Sequence, residues 1–202
     1  MRDKVIILGT SEKTDKILRK PTRKVKNFQD PEIIVLKQVM ESISMQDGSA
    51  GVAANQLGYS YSIFCLNIAR TKLPFKSPKA TALFFNPRIM SISEEADEQI
   101  EGCLSIPGRV GMVTRGLMVT LDWYNEKGMH YNMDFQGYSA RAIQHEMGHI
   151  EGLLYTDVCK DTFDEHDLEN AYRKQANAQN PDRENQTSSG IILPEQKAII
   201  TA

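Results

Sequence analysis

Two histidines one helical turn apart are the residues of this sequence best suited to chemistry. His145 and His149 are four positions apart, and Glu146 directly follows the first of them. In an α-helix such positions share a face, so the two imidazoles would lie side by side. This H-E-x-x-H pattern typically binds a metal ion through its histidines and uses its glutamate to move protons. The chain has 4 histidines, and two of them fall in the motif, which favours a metal site over a solvated surface helix.

A catalytic metal site of this kind needs a third protein ligand and one open position. A metzincin would carry a third histidine where this chain has Tyr155, which disfavours that arrangement. A thermolysin-like site would use a downstream glutamate, and Glu165 or Glu169 could serve. Cys103, upstream, is the third candidate, because a thiolate combines well with two imidazoles on Zn²⁺ or Fe²⁺.

The residues around the motif predict one helix. Ser139 is a suitable N-cap and Gly152 stands where a left-handed residue would end the helix, so we expect it to run from Ser139 to Gly152. Apolar residues recur along it at three- and four-residue steps, which indicates one buried face. A second helix is predicted to begin at Asp30 and Pro31 and to continue to about Met45.

Most of the remaining pattern indicates β structure. Strands are predicted over 62–68 and over 82–92, the latter with a break at Pro87. Strands over 117–123 and 129–135 flank a turn and predict a hairpin. A short strand over 5–8 and a mostly polar helix over 164–178 complete the prediction, and residues 94–98 are expected to form an acidic turn.

Composition limits the function classes. Apolar residues make up 41% of the 202 residues and the net charge is −2, which is typical of a globular domain and gives no sign of a nucleic-acid or membrane surface. The N-terminus lacks the apolar run of an export signal. The chain has an odd number of cysteines, 3, so a fold held together by disulfide bonds is not expected. We therefore expect a cytoplasmic protein with one domain over 1–163 and a C-terminal helix and polar tail over 164–202 that is not an independent domain.

Three segments together resemble a known family. Gly51–Gln56, Glu101–Ser105 and Gln144–His149 are similar, in this order, to the three motifs of peptide deformylase. The resemblance covers about residues 1–158. With the predicted elements it implies an α+β fold, in which antiparallel β-sheets pack around a central helix carrying the H-E-x-x-H motif, with an N-terminal helix and a C-terminal helix or tail.

The resemblance also implies an activity, namely removal of the N-formyl group from the starting methionine of newly made polypeptides. One divalent ion, Fe²⁺ in the cell with Zn²⁺ or Ni²⁺ as alternatives, would be held by Cys103, His145 and His149 and would carry the attacking water. Glu146 would act as general base and acid. The substrates would be nascent N-formylmethionyl polypeptides, which emerge at the ribosome, although no feature of the sequence encodes ribosome binding.

Four further residues receive roles from the resemblance. Gln56 and the backbone N–H of Leu104 would donate hydrogen bonds to the formyl oxygen as negative charge builds on it. Gly51 would let the substrate backbone pair with its loop, and Ile143 would help line the methionine pocket. Outside this set, Glu101 is expected to order its loop by pairing with Arg109 or Arg115.

The chain departs from the family pattern at two positions. Ser49 replaces a usual glycine, and Gly148 replaces the usual aspartate before the second histidine. A glycine within a helix costs about 1 kcal/mol relative to alanine. The missing carboxylate would have paired with a nearby cation, for which Arg115 is the candidate. Because the three ligands and Glu146 remain, we expect retained activity. Restoring the carboxylate with Gly148→Asp should raise thermal stability.

Two rival functions remain open on the sequence alone. A zinc endopeptidase would use His145, His149 and a downstream glutamate, and would keep its metal after Cys103→Ala. A binding module with a structural metal or none would release no formate from a formylated peptide.

Overall fold

The structure, a computed structural model, describes residues 5–75, 78–167, 170 and 200–201. The helices described are α1 (Glu12–Leu18), α2 (Pro31–Ser44), α3 (Ile68–Thr71) and α4 (Gly137–Glu151). The strands described are β1 (Gly51–Ala53), β2 (Ile63–Asn67), β3 (Thr81–Ile92), β4 (Ala96–Cys103), β5 (Ile106–Gly116), β6 (Met118–Tyr124), β7 (His130–Gln136), β8 (Thr162–Asp164) and β9 (Ile200–Thr201). Short 3₁₀ turns cover Ala54–Leu57, Tyr155–Asp157 and Glu165–Asp167.

These strands form two sheets. The larger sheet has the strand order β1-β2-β3-β6-β7, and every neighbouring pair in it is antiparallel. The smaller sheet has the order β8-β5-β4-β9, with antiparallel pairs except for the parallel contact of β4 with β9. Strand β4 ends at Cys103, so the smaller sheet delivers one of the predicted site residues.

Helix α4 lies on one face of the larger sheet and α2 lies on the other. Alternation along β2 explains this arrangement, because successive side chains of a strand point to opposite faces. Phe64 packs in the core cluster that contains α4 residues such as Ile143 and Met147. Cys65, the next residue, packs in the second cluster with Leu36 and other residues of α2. Two apolar layers therefore hold the sheet between the helices and fix the position of α4.

The predicted fold class is confirmed, since the chain is α+β with antiparallel sheets around the helix that carries the motif. The second predicted helix is also confirmed, because α2 begins after the N-cap Asp30 with Pro31 in its first turn. Of the predicted helix over 164–178, residues 164–167 form the end of β8 and a 3₁₀ turn instead, and most of the remainder lies outside the described residues. In the part of the chain that is described, no helix has the length and apolar content needed to cross a bilayer.

Several boundaries were predicted wrongly. Ser139 lies inside α4, where its hydroxyl donates to the carbonyl of Gln136, and Gln136 is the N-cap. Strand β3 continues through Pro87, where a register shift in its pairing with β6 accommodates the proline. Residues 5–8 are not a strand, and residues 94–98 lead into β4 rather than forming only a turn. Helix α1 and the hairpin of β4 and β5 were not predicted.

Candidate metal centre

Helix α4 places the two histidines in the interior. His145 and His149 are both buried, and their ring centroids are 5.3 Å apart, as expected for one turn of helix. The helix ends at Gly152, whose φ of 78° is the left-handed conformation that glycine adopts readily. A Cβ on Gly152 would also lie 2.7 Å from the backbone of Arg19. The predicted end of the helix is therefore confirmed, and glycine is required there for two reasons.

Strand β4 brings Cys103 to these histidines. The Sγ atom of Cys103 lies 3.3 Å from Nε2 of His149, and one donor atom from each of Cys103, His145 and His149 lies within 4.8 Å of the others. All three residues are buried. Across the described residues this is the group of side chains that could hold a metal ion. Three soft or borderline donors around one point suit a divalent ion such as Zn²⁺ or Fe²⁺.

The alternative positions for a third ligand that the structure describes, residues 155 and 165, do not join this group. Tyr155 stacks near His145, with ring centroids 6.3 Å apart, but its hydroxyl donates to the carbonyl of Arg109. Glu165 is exposed in a 3₁₀ turn, and Glu169 lies outside the described residues.

The unpaired atoms of the site fit a bound cation. Nε2 of His145 is buried and has no hydrogen-bond partner among the described residues, and Nε2 of His149 faces the same space, 3.3 Å from Sγ of Cys103. Buried polar atoms normally have partners, so such atoms indicate a missing ligand or solvent. Burial lowers the pKa of His149, which keeps its imidazole neutral and able to bind a cation. Burial also raises the pKa of Cys103 to about 12, and a divalent ion would favour the thiolate instead.

Glu101 orients the first histidine. Its Oε2 lies 2.9 Å from Nδ1 of His145, which leaves Nε2 of that ring free to face the cluster. Arg115 forms a bidentate pair with the same carboxylate at 3.0 and 2.8 Å, and Arg141 donates to it at 2.8 Å. Burial alone would raise the pKa of Glu101, but hydrogen bonds from His145 and Arg115 hold it well below its usual range. The expected pairing of Glu101 is therefore found with Arg115.

Glu146 occupies a different environment although it neighbours His145 in the chain. Its carboxyl group is fully buried, and neither oxygen has a hydrogen-bond partner among the described residues. Burial, and then the negative charge of Glu101, raise its pKa well above the ordinary value. A carboxyl group with a raised pKa can accept a proton and return it near neutral pH.

Gln56 approaches the cluster from the 3₁₀ turn that follows β1. Its side-chain oxygen accepts a hydrogen bond from the backbone N–H of Ala53 at 2.8 Å. Its Nε2 donates to Oγ of Ser105 at 3.3 Å and lies 3.5 Å from Sγ of Cys103. Because the oxygen is held by the backbone, the amide N–H groups are the ones directed at the site. Leu104, next to Cys103, is half-buried at the end of β4.

The remaining predicted site residues lie in different places. Gly51 lies in β1, and a Cβ there would be 2.9 Å from Oε1 of Glu146, so this glycine contacts the proposed base directly. Ile143 is fully buried in the main core cluster, and it lies two positions before His145, about 200° around the helix. The structure therefore brings Gly51 to the cluster and places Ile143 in the core.

Sequence reasoning missed two residues that support the site. Arg141 is buried and binds both Glu101 and Asp97; its position four residues before His145 was the available signal. Asn55 donates from its side chain to the carbonyl of His149 at 2.7 Å, which ties the turn carrying Gln56 to the end of α4.

Comparison with known proteins identifies the family of this chain. The family model described as polypeptide deformylase matches residues 9–164. Peptide deformylase of Pseudothermotoga lettingae is 34% identical over 158 residues, covering 78% of this chain and 83% of that protein. Peptide deformylase 1 of Bacillus cereus is 33% identical over 165 residues, covering 81% and 99%.

Solved structures give the same result. The crystal structure of peptide deformylase from Thermotoga maritima superposes with a TM-score of 0.67 at 25% identity, covering 78% of this chain and 97% of that chain. The Met-Ala-Ser-bound structure of class I type b peptide deformylase from Acinetobacter baumannii gives a TM-score of 0.65 at 27% identity, covering 76% and 97%. By its sequence and its fold, the chain belongs to the peptide deformylase family.

Proposed function

We propose that this chain removes the formyl group from N-terminal formylmethionine by hydrolysis at a divalent metal ion held by Cys103, His145 and His149. Membership of the family makes it a hydrolase that acts on the formyl groups of new polypeptides. The observation that carries the metal part of the proposal is the convergence of one thiol and two imidazoles, all buried, within 4.8 Å. The same observation disfavours an endopeptidase built on Glu165.

When bound, the ion would lower the pKa of a water molecule towards neutrality and polarise the formyl oxygen. Glu101 prepares the site, because its bond to Nδ1 of His145 fixes the ring and leaves Nε2 for the metal. We propose Fe²⁺ as the ion in the cell. The donor set would accept Zn²⁺ or Ni²⁺ as well.

Glu146 is the proposed general base and acid. It would take a proton from the attacking water and later pass it to the amine that leaves. Its buried carboxyl group, with a pKa raised by burial and by Glu101, supports this role. Gly51 keeps the carboxyl group in place, since any side chain there would collide with it.

Two donors are proposed for the negative charge that develops on the formyl oxygen. Gln56 would donate from Nε2, which already lies 3.5 Å from Sγ of Cys103 and is held by the bond from Ala53 to its oxygen. The backbone N–H of Leu104, the residue after Cys103, would donate the second bond. Removing one such donor lowers kcat by about 10²- to 10³-fold.

The substrate would lie along β1. Among the described strands, β1 is at the edge of the larger sheet and pairs with β2 alone, so an extended peptide could pair with its other side. Gly51, at the start of β1, would pair with the substrate backbone. The relative from Acinetobacter baumannii binds Met-Ala-Ser, which is the form of product that this reaction would leave. Because Ile143 is buried in the core, it would support the wall of the methionine pocket from its inner side.

The cellular context is also a proposal. Nascent formylmethionyl polypeptides near the ribosomal exit in the cytoplasm would supply the substrate. The catalytic domain would comprise residues 1–163, for which the match of the family model to residues 9–164 is support, and residues 164–202 would be an appended helix and tail.

A formate-release assay tests the proposal. Protein purified anaerobically and supplied with Fe²⁺ should release one formate for each formyl-Met-Ala-Ser consumed. Release of free methionine or cleavage of an internal peptide bond, without formate, would contradict it.

A further inference from the structure

Tyr138 carries a polar group that the folded chain leaves unused. Its hydroxyl is buried and has no hydrogen-bond partner among the described residues. Buried hydroxyl groups normally have partners, so a lone one indicates a place for a ligand or solvent. Burial raises the pKa of Tyr138 to about 12, so the phenol keeps its proton and can act as a donor.

The position of Tyr138 connects it to the proposed active site. It lies in the first turn of α4, seven residues before His145, and two turns of helix bring a residue back to the same face. It packs against Ala50, and Ala50 directly precedes Gly51, which contacts Glu146. Tyr138 therefore lies between the face of α4 that carries the metal ligands and the start of the strand proposed to bind substrate.

The rise of α4 between these two residues and the reach of a methionine side chain are of similar size. Two turns of helix separate the Tyr138 and His145 Cα atoms by about 10.5 Å along the axis. The sulfur of an extended methionyl residue lies five bonds, or about 6 Å, from the formyl carbon, and a hydrogen bond to sulfur adds about 3.5 Å. The thioether sulfur is a weak acceptor, and nothing else in a methionine side chain can accept a hydrogen bond.

We propose that the Tyr138 hydroxyl donates a hydrogen bond to the thioether sulfur of the substrate's first residue and thereby selects methionine over apolar side chains of equal length. This inference rests on the proposed function and adds a specificity-determining residue to it. A purely apolar pocket would accept norleucine, in which a methylene replaces the sulfur, about as well as methionine. A site with a buried donor disfavours norleucine, because the donor stays unpaired.

The test compares formyl-Met-Ala-Ser with formyl-norleucine-Ala-Ser in the metal-loaded wild type and in Tyr138→Phe. The wild type should favour the methionine peptide by about three- to tenfold in kcat/KM, and Tyr138→Phe should lower that ratio to near one by slowing the methionine peptide. Tyr124→Phe, which removes an exposed hydroxyl, is the matched control and should keep the wild-type ratio.

A binding measurement separates this role from a general effect on turnover. Calorimetric titration with the products Met-Ala-Ser and norleucine-Ala-Ser should show the same preference in the wild type and its loss in Tyr138→Phe. An unchanged ratio in Tyr138→Phe, with formate still released, would overturn this inference and leave the proposed function standing. Absence of formate release from both peptides in the wild type would overturn both.

Discussion

Gly51 and Glu146 are in such close contact that a single added carbon would displace the carboxyl group. A Cβ built on Gly51 would lie 2.9 Å from Oε1 of Glu146 and 2.7 Å from the backbone oxygen of Cys65. The strand can therefore approach α4 closely only because residue 51 has no side chain. The glycine of the first motif thus helps to position the proposed base of the third motif.

Gly51→Ala should therefore reduce formate release by about 10- to 100-fold, because displacing a catalytic group by about 1 Å has effects of this size. Gly148→Ala is the matched control, since the Cβ at that position would meet its nearest atom at 3.3 Å rather than below 3 Å. Steady-state kinetics of the two variants provide the measurement. Equal activity in both would show that the close contact is unimportant.

Replacing Glu101 should destabilise the protein. Glu101→Gln would remove one of the two carboxylates that pair with the buried Arg141 and weaken the hold on Arg115, at a cost of about 3–5 kcal/mol in the free energy of unfolding. Urea denaturation of metal-free protein at pH 7 would measure the difference. A variant as stable as the wild type would mean that the arginines find solvent or other partners.

The same pair of proteins gives a pH prediction. The pKa of Glu101 is depressed in the folded state from its ordinary value of 4.5, so its stabilising effect is present above that pH. The effect is lost as the pH falls below 4.5 towards the folded pKa. The difference in unfolding free energy between wild type and Glu101→Gln should therefore shrink as the pH is lowered through this range. A difference that grows on acidification would contradict the assigned sign.

Gln56→Glu tests the proposed hydrogen bond to the formyl oxygen. The new carboxylate would keep the acceptor for the Ala53 N–H but would lack the donor, so the turn should be preserved while turnover falls by about 10²-fold or more. The expected signature is a lower kcat with retained binding of Met-Ala-Ser. Full activity in this variant would remove Gln56 from the mechanism.

Gly148 offers a prediction about stability. Gly148→Ala should raise the unfolding free energy by up to about 1 kcal/mol through helix propensity, provided that the Leu153 carbonyl at 3.3 Å yields slightly. Gly148→Asp should raise the unfolding free energy by less than Gly148→Ala does. Arg115 is already bound to Glu101, and the new side chain would leave the helix next to the carbonyl oxygen of Leu153. Thermal melts of the two variants decide the matter. A higher melting temperature for the aspartate would favour the cation pair expected from the sequence.

Short-range patterns in the sequence were sufficient for some elements. Gly152 ends α4 because a left-handed residue is needed there, and Asp30 with Pro31 starts α2 by local capping. Ser139 was misassigned because its hydroxyl bonds back to the carbonyl of Gln136, as serine does inside a helix as well as at its start.

Long-range contacts explain what the sequence pattern did not reveal. Strand β5 contains Pro107, several glycines and charged residues, and it forms a strand because β4 and β8 pair with it on both sides. The bonds of Glu101 to Arg115, Arg141 and His145 likewise join residues from two strands and a helix. Motif spacing identified the residues of the centre, but it could not show that Gly51 touches Glu146, since that contact depends on the packing of β1 against α4.

Metal content measured together with formate release, for the wild type and for Cys103→Ala, tests the central claim most directly. The wild type, purified anaerobically, should hold one divalent ion per chain, lose activity on chelation and regain it with Fe²⁺. Cys103→Ala should lose both the ion and the activity, whereas Cys65→Ala, at a buried cysteine of the core, should keep both. Retention of a full equivalent of metal and of formate release by Cys103→Ala would contradict the account.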